Sequence, residues 1–144
     1  MSLQQLLLKN LARLFSTSPY LGGIISSRPE LLDSYLYRYQ QAFADSLDEA
    51  LEEMAERRLL TELIASTEFL ANKNVELLCE SLTQTADDIC NHLLNLLKKQ
   101  HGPSELTILT LGKWGGRELG LTSDLDFIFI TPNEPSEVDY KIAK

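Results

Sequence analysis

No run of apolar residues in this 144-residue sequence approaches the eighteen or so that a membrane-spanning helix needs. Residues 1–14 also lack the basic start and small-residue cleavage site of a signal peptide. Both absences point to a cytoplasmic protein with no membrane partner. Cysteine is scarce: Cys79 and Cys90 stand eleven residues apart in one predicted helix, roughly 16 Å at 1.5 Å per residue, beyond disulfide reach. They read as buried free thiols, and no Cys or His at ligand spacing joins them in a metal site. Positive charge is short as well, with 13 Lys and Arg against 21 Asp and Glu and a net charge of −8. The basic residues are scattered, so no nucleic-acid partner is expected, because phosphate backbones need clustered cations. The same deficit repels any polyphosphate unless a divalent cation or local N–H donors intervene.

What the chain does have is helical periodicity through its first hundred residues. Leu3, Leu6, Leu7, Leu11 and Leu14 form one apolar face. Ser18-Pro19 supplies an N-cap and a first-position proline for a short second helix through Ile24 and Ile25. Gly22-Gly23 follows no strand and precedes no P-loop residues, which leaves close helix packing as its role. Pro29 restarts a helix with Leu32, Leu36 and Phe43 on one side, and with Tyr35 and Tyr39 one turn apart at the core rim.

Ser46 and Glu49 have capping-box spacing and open a helix carrying Ala50, Met54, Leu60, Leu63 and Ile64. Asp48, Glu49, Glu52, Glu53 and Glu56 make its solvated face, with Glu53 placed to pair with Arg57; a docking surface for a basic partner is the alternative. Asn72-Lys73-Asn74 ends this helix and caps the next. In that one Leu78, Leu82, Ala86, Ile89, Leu93 and Leu96 hold helical spacing up to Lys98-Lys99 and the stop at Gly102-Pro103. His92 and His101 are expected in exposed or capping roles.

Beyond residue 104 the pattern turns to strands, one from Leu106 to Leu111 and one from Leu125 to Ile130, followed by a helix capped by Ser136 and Asp139. Asp124 and Asp126, at i and i+2, are expected on one face of the second strand, with Phe127 and Phe129 on the other face in a core. Carboxylates converging this way repel each other unless a cation sits between them. Mg²⁺ suits them, since it takes oxygen ligands and keeps waters or phosphates as the remainder. Gly115-Gly116 permits positive φ and close backbone approach, and a helix start near Arg117 would aim bare N–H groups at an anion. Ser123 adds a hydroxyl, and Lys113 and Arg117 bring the local positive charge. These parts suit in-line attack at a nucleotide α-phosphorus, with metal ions stabilising the attacking and leaving oxygens.

The stretch GKWGGRELGLTSDLDFIFI, residues 112–130, resembles the nucleotidyltransferase signature of the glutamine synthetase adenylyltransferase family at Gly112, Lys113, Gly115, Gly116, Glu118, Leu119, Ser123, Asp124 and Asp126. The segment SPYLGGIISSRPELLD resembles the family more loosely. Members carry two related halves, one attaching AMP from ATP to a tyrosine hydroxyl of glutamine synthetase and one removing it by phosphorolysis. The wording here is more similar to the C-terminal, adenylylating half. Trp114 replaces the usual leucine, and the helical stretch before Gly112 is shorter than the family's.

The resemblance implies an α+β chain: a helical bundle over 1–104, then over 105–144 the first two strands of a nucleotidyltransferase (DNA polymerase beta-like) fold. It also implies Mg²⁺, ATP, glutamine synthetase and a nitrogen-regulatory signalling protein as ligands and partners. Asp124 and Asp126 become catalytic metal ligands, and Lys113, Gly115, Gly116, Arg117 and Ser123 nucleotide contacts. In the superfamily a third carboxylate arrives on a later strand; Asp139, in a predicted helix, is a poor substitute, so the chain reads as a fragment. The alternatives are a non-catalytic helical docking module and a different small nucleotidyltransferase.

Overall fold

A computed structural model describes residues 3–37 and 42–144, with the side chains of residues 3, 4 and 7 excepted. Tyr39 and the side chains of Leu3 and Leu7 therefore lie outside the described residues. The order is α1 (Leu3–Thr17), α2 (Pro19–Ser27), α3 (Leu31–Tyr37), α4 (Leu47–Asn72), α5 (Val75–His101), β1 (Thr107–Thr110), α6 (Gly112–Gly115), β2 (Phe127–Ile130) and α7 (Glu137–Ile142). Among the described residues the chain is mostly helical with one antiparallel pair of strands, an α+β arrangement. Among the described residues no helix is long and apolar enough to cross a membrane.

The long helices α4 and α5 form the frame. Lys73 closes α4 in the left-handed region at φ 58°, and the Asn74 side chain accepts from Leu77 N–H at 3.1 Å to start α5. So short a link forces the two helices back along each other, about 40 Å at 1.5 Å per residue. Thr61 and Thr85 share a 3.0 Å hydrogen bond across the seam, and Ala50, Met54 and Leu96 pack at its far end. Along 60–63 every residue of α4 is buried, as happens when a helix is covered on more than one side.

On one flank of α4, helices α1, α2 and α3 bring Leu11, Leu14, Leu21, Ile24, Leu31 and Tyr35 against Leu60 and Leu63. Tyr35 is fully buried, in the core rather than at its rim. The buried Glu62 carboxylate is satisfied at both oxygens, by Tyr20 Oη at 2.6 Å and Arg58 Nε at 3.3 Å. Burial and this carboxylate push the Tyr20 hydroxyl pKa up to about 12. Gly22 lies inside α2, where an added Cβ would rest at 3.8 Å from Phe15, consistent with a packing role.

Phe43 departs from expectation. It does not extend the α3 face; its ring meets that of His92, tilted by 41° at 5.1 Å between centroids, and lies under the Arg57 guanidinium at 4.5 Å. The cause is the backbone of Ala44, whose N–H donates to Glu53 at 2.6 Å and whose carbonyl meets His92 Nε2 at 3.0 Å. Glu53 and His92 thus hold the segment before α4. Ser46 caps α4 by accepting from Glu49 N–H at 3.4 Å. The thiols of Cys79 and Cys90 are free but half-buried rather than buried, and burial pushes the Cys90 pKa up.

Helix α7 folds back onto α5 through Asp139. Its carboxylate accepts from Ser104 Oγ, from Ser136 N–H at 2.7 Å and from Ser136 Oγ at 2.7 Å, and Ser104 Oγ also accepts from Leu106 N–H at 3.0 Å. Ser104 first, then Ser136, holds the Asp139 carboxyl below the usual range. A depressed folded-state pKa stabilises the fold above the unfolded value of about 3.9, and that contribution disappears as pH falls through the folded value. Asp139→Asn is therefore expected to lower the urea midpoint at pH 7, with the gap from wild type closing below about pH 4.

Candidate functional site

The signature begins where the strand ladder ends. β1 and β2 pair from Thr107 with Ile130 to Thr110 with Phe127, and one further bond, Leu111 N–H to the Asp126 carbonyl at 2.8 Å, holds Asp126 at the end of the ribbon. Gly112, at φ +53°, then turns the chain off the ladder. A Cβ there would stand 2.5 Å from Asp126 Oδ2, so the glycine makes room for this carboxylate. Gly115 has a different reason: its Cβ would meet the Thr110 carbonyl oxygen at 2.6 Å, which would push α6 off β1.

Four expectations are corrected. Positive φ falls at Gly112, Arg117 and Thr122, not at Gly115-Gly116. The short helix starts at Gly112 rather than near Arg117, and the N–H groups of Gly115, Gly116, Arg117 and Glu118 donate to carbonyls of the same turn. The groups without an intrahelical carbonyl are those of its first residues, 112–114. The second strand starts at Phe127, so Asp124 lies in the irregular segment before it and Asp126 at its threshold. Phe127 and Phe129, at 41% and 38% exposure, are not in a core; they meet each other edge-on, and Phe127 meets Trp114 likewise. A ribbon of only two strands leaves both faces of β2 exposed.

Ser123 closes the loop between α6 and β2, accepting from Gly120 N–H at 3.0 Å while its own N–H donates to the Gly120 carbonyl at 3.2 Å. Its hydroxyl proton is not used in either bond. Asp124, Asp126 and Lys113 are exposed. Behind the loop a cavity of about 240 Å³ opens toward α4 and α5, lined by Met54, Leu82, Ile89, Leu119, Ser123 and Leu125 among others. Among the described residues no three His, Cys, Asp or Glu side chains gather as a metal site.

Arg117 is held by α5. Its Nη2 and Nε donate to Glu80 at 2.8 and 3.3 Å, and its Nη1 to Asp87 at 3.1 Å. The pairing pulls the Glu80 carboxyl below its ordinary pKa and raises that of the guanidinium. The other oxygen of Asp87 accepts from the buried Trp114 indole N–H at 2.8 Å, and Trp114 packs with Leu82 and Leu119. Sequence reasoning missed Glu80 and Asp87, which lie 37 and 30 residues from Arg117 and carry no local motif. The role of Gly112 was hinted at only by its place in the signature.

Comparison with known proteins adds a family to this geometry. The family model for glutamate-ammonia ligase adenylyltransferase matches residues 8–142. The chain belongs to that family. Among curated relatives, the bifunctional glutamine synthetase adenylyltransferase/adenylyl-removing enzyme of Pseudomonas putida is 31% identical over 122 residues, 74% of this chain and 12% of the relative. The enzyme of that name from Mesorhizobium japonicum is 26% identical over 161 residues, 90% of this chain and 16% of its own length. The one from Nitrosomonas eutropha is 40% identical over 81 residues, 51% and 9% of the two chains. This adenylyltransferase-family chain thus spans about one-sixth or less of these relatives. No solved structure gives a significant match.

Gly112→Ala tests the turn directly. The substitution is expected to cost about 1 kcal/mol in a chemical melt for the left-handed backbone. It should also displace the Asp126 carboxylate, seen as a shift of the Leu111 and Asp126 amide resonances.

Proposed function

We propose that the signature binds ATP with Mg²⁺ and serves transfer of AMP to a tyrosine hydroxyl of glutamine synthetase, or its removal by phosphorolysis. The observation that carries this reading is the seat of the Asp126 carboxylate against the Cα of Gly112, in the turn that also holds Gly115, Gly116 and Lys113. Two exposed carboxylates with no ion-pair partner among the described residues fit a hard ion that keeps part of its shell for water and phosphate. Asp124 and Asp126 would hold it, and when bound it would supply charge neutralisation for the polyphosphate and polarise the α-phosphorus.

The chain's own groups do the rest. Gly115 lets the turn seat against Thr110, Gly116 leaves the backbone bare where phosphates approach, Ser123 offers its hydroxyl proton, and Lys113 adds positive charge. Arg117 contributes through the turn, its guanidinium being held by Glu80 and Asp87. Within this reading residues 105–144 are the start of a nucleotidyltransferase (DNA polymerase beta-like) domain, and 1–104 a helical subdomain that presents glutamine synthetase or a nitrogen-regulatory signalling protein. The reaction belongs in the cytoplasm, and the lean is to the adenylylating direction. A second reading, a non-catalytic docking fragment, is favoured by the absence, among the described residues, of a cluster of three His, Cys, Asp or Glu side chains.

Calorimetric titration of the 144-residue chain with ATP, with and without Mg²⁺, separates the two. Metal-dependent binding that Asp124→Asn with Asp126→Asn abolishes supports the site. Binding unchanged by both substitutions refutes the assignment, and no binding by the wild type favours the docking fragment.

A further inference from the structure

We propose that Asp87 and Glu80 of α5 are positioning residues that clasp the glycine turn and thereby set Gly112 and Asp126 for the metal. The inference rests on the reading of Asp124 and Asp126 as metal ligands, and it assigns a role to two helical carboxylates that the signature does not contain.

The turn is fixed at its start by the bond from Leu111 N–H to Asp126. Phe127 and Thr110 of the ribbon pack against Trp114 and Gly115, but among the described residues no ladder hydrogen bond reaches Arg117 at its far end, because the chain leaves the strand at Gly112. The clasp does so. Asp87 uses one carboxylate oxygen for Trp114, in the middle of the turn, and the other for Arg117, at its end. Glu80 stands two helical turns earlier on the same side of α5 and takes Arg117 Nη2 and Nε on its two oxygens, the fork geometry in which guanidinium and carboxylate bind best.

Arg117 also adopts φ 58°, a left-handed conformation that is unfavourable for a non-glycine residue and persists only where its surroundings hold it. Two carboxylates bonded to three guanidinium nitrogens provide that hold. Exposed ion pairs add little to global stability. The effect of the clasp should therefore appear in the geometry of the turn far more than in unfolding.

The arrangement makes a prediction of definite sign. If Arg117 were itself a phosphate ligand, removing its partners would release it and tighten ATP binding. If the clasp positions the turn, removing them loosens the turn and weakens binding. Trp114 is the single tryptophan in the chain, so its fluorescence reports on the turn alone.

The experiment measures ATP affinity in the presence of Mg²⁺, acrylamide quenching of Trp114 and far-ultraviolet circular dichroism for wild type, Asp87→Ala, Asp87→Asn and Glu80→Gln. The expected results for Asp87→Ala are an affinity about tenfold weaker or more, in the range of lost outer-shell partners, greater quenching and an unchanged helical spectrum. Asp87→Asn keeps an acceptor for Trp114 and should fall between, which also covers a failure of the alanine variant to fold. The double variant Glu80→Arg with Arg117→Glu should recover affinity relative to Arg117→Glu alone. Wild-type binding that the Asp87 and Glu80 variants leave equal or tighter overturns the clasp alone. A wild type that binds no ATP with Mg²⁺ overturns the metal-site reading and the clasp with it.

Discussion

The antiparallel pairing of α4 with α5 is the constraint on which the other elements depend. It follows from a two-residue link, Lys73 in the left-handed region and Asn74 as cap, which returns the chain along itself. Once paired, the helices present two different flanks. α4 gathers α1, α2 and α3 around Leu60 and Leu63, while α5 carries the signature turn on Leu82 and Asp87 and the last helix near Ser104. Leu121, from the signature loop, packs against both the N-terminal cluster and the Trp114 cluster, so the two flanks are joined behind the site.

This frame explains how a ribbon of two four-residue strands keeps its shape. Two strands alone are marginal in water, and this ribbon exposes both faces of β2. Its order comes from outside the ladder: Ile108 lies against the Trp114 cluster, Gly115 lets α6 fold back onto Thr110, and α5 grips Trp114 and Arg117. The aspartates inherit their place from this support. Asp126 is positioned by a backbone bond and by the absence of a side chain at Gly112, neither of which depends on its own charge.

Much of the fold was legible in sequence because its signals are local. The Ser18, Ser46, Asn74 and Ser136 caps and the stop at Gly102 involve residues within a few positions of one another and occur as read, except that Ser46 caps α4 by its side chain without the reciprocal Glu49 half of a capping box. Asp124 and Asp126 were readable as a candidate pair from their spacing, but the strand that was to align them starts only at Phe127. The rest depended on contacts distant in sequence. Phe43 left the α3 face because His92, 48 residues from Ala44, bonds the backbone beside it. Phe127 and Phe129 obey strand alternation, but alternation does not say whether another layer covers that face. Glycine identity flagged the turn without showing which glycine needed positive φ, since that follows from where the ladder ends.

The proposed site would hold a divalent cation at the meeting of the glycine turn and the two aspartates. Mn²⁺ shares the oxygen-ligand preference of Mg²⁺ and broadens nearby amide resonances, so a substoichiometric titration of the ¹⁵N-labelled chain maps its seat. The account predicts that residues 112–116 and 123–126 broaden first. Broadening centred instead on the acidic face of α4, around Asp48, Glu49 and Glu52, would contradict it.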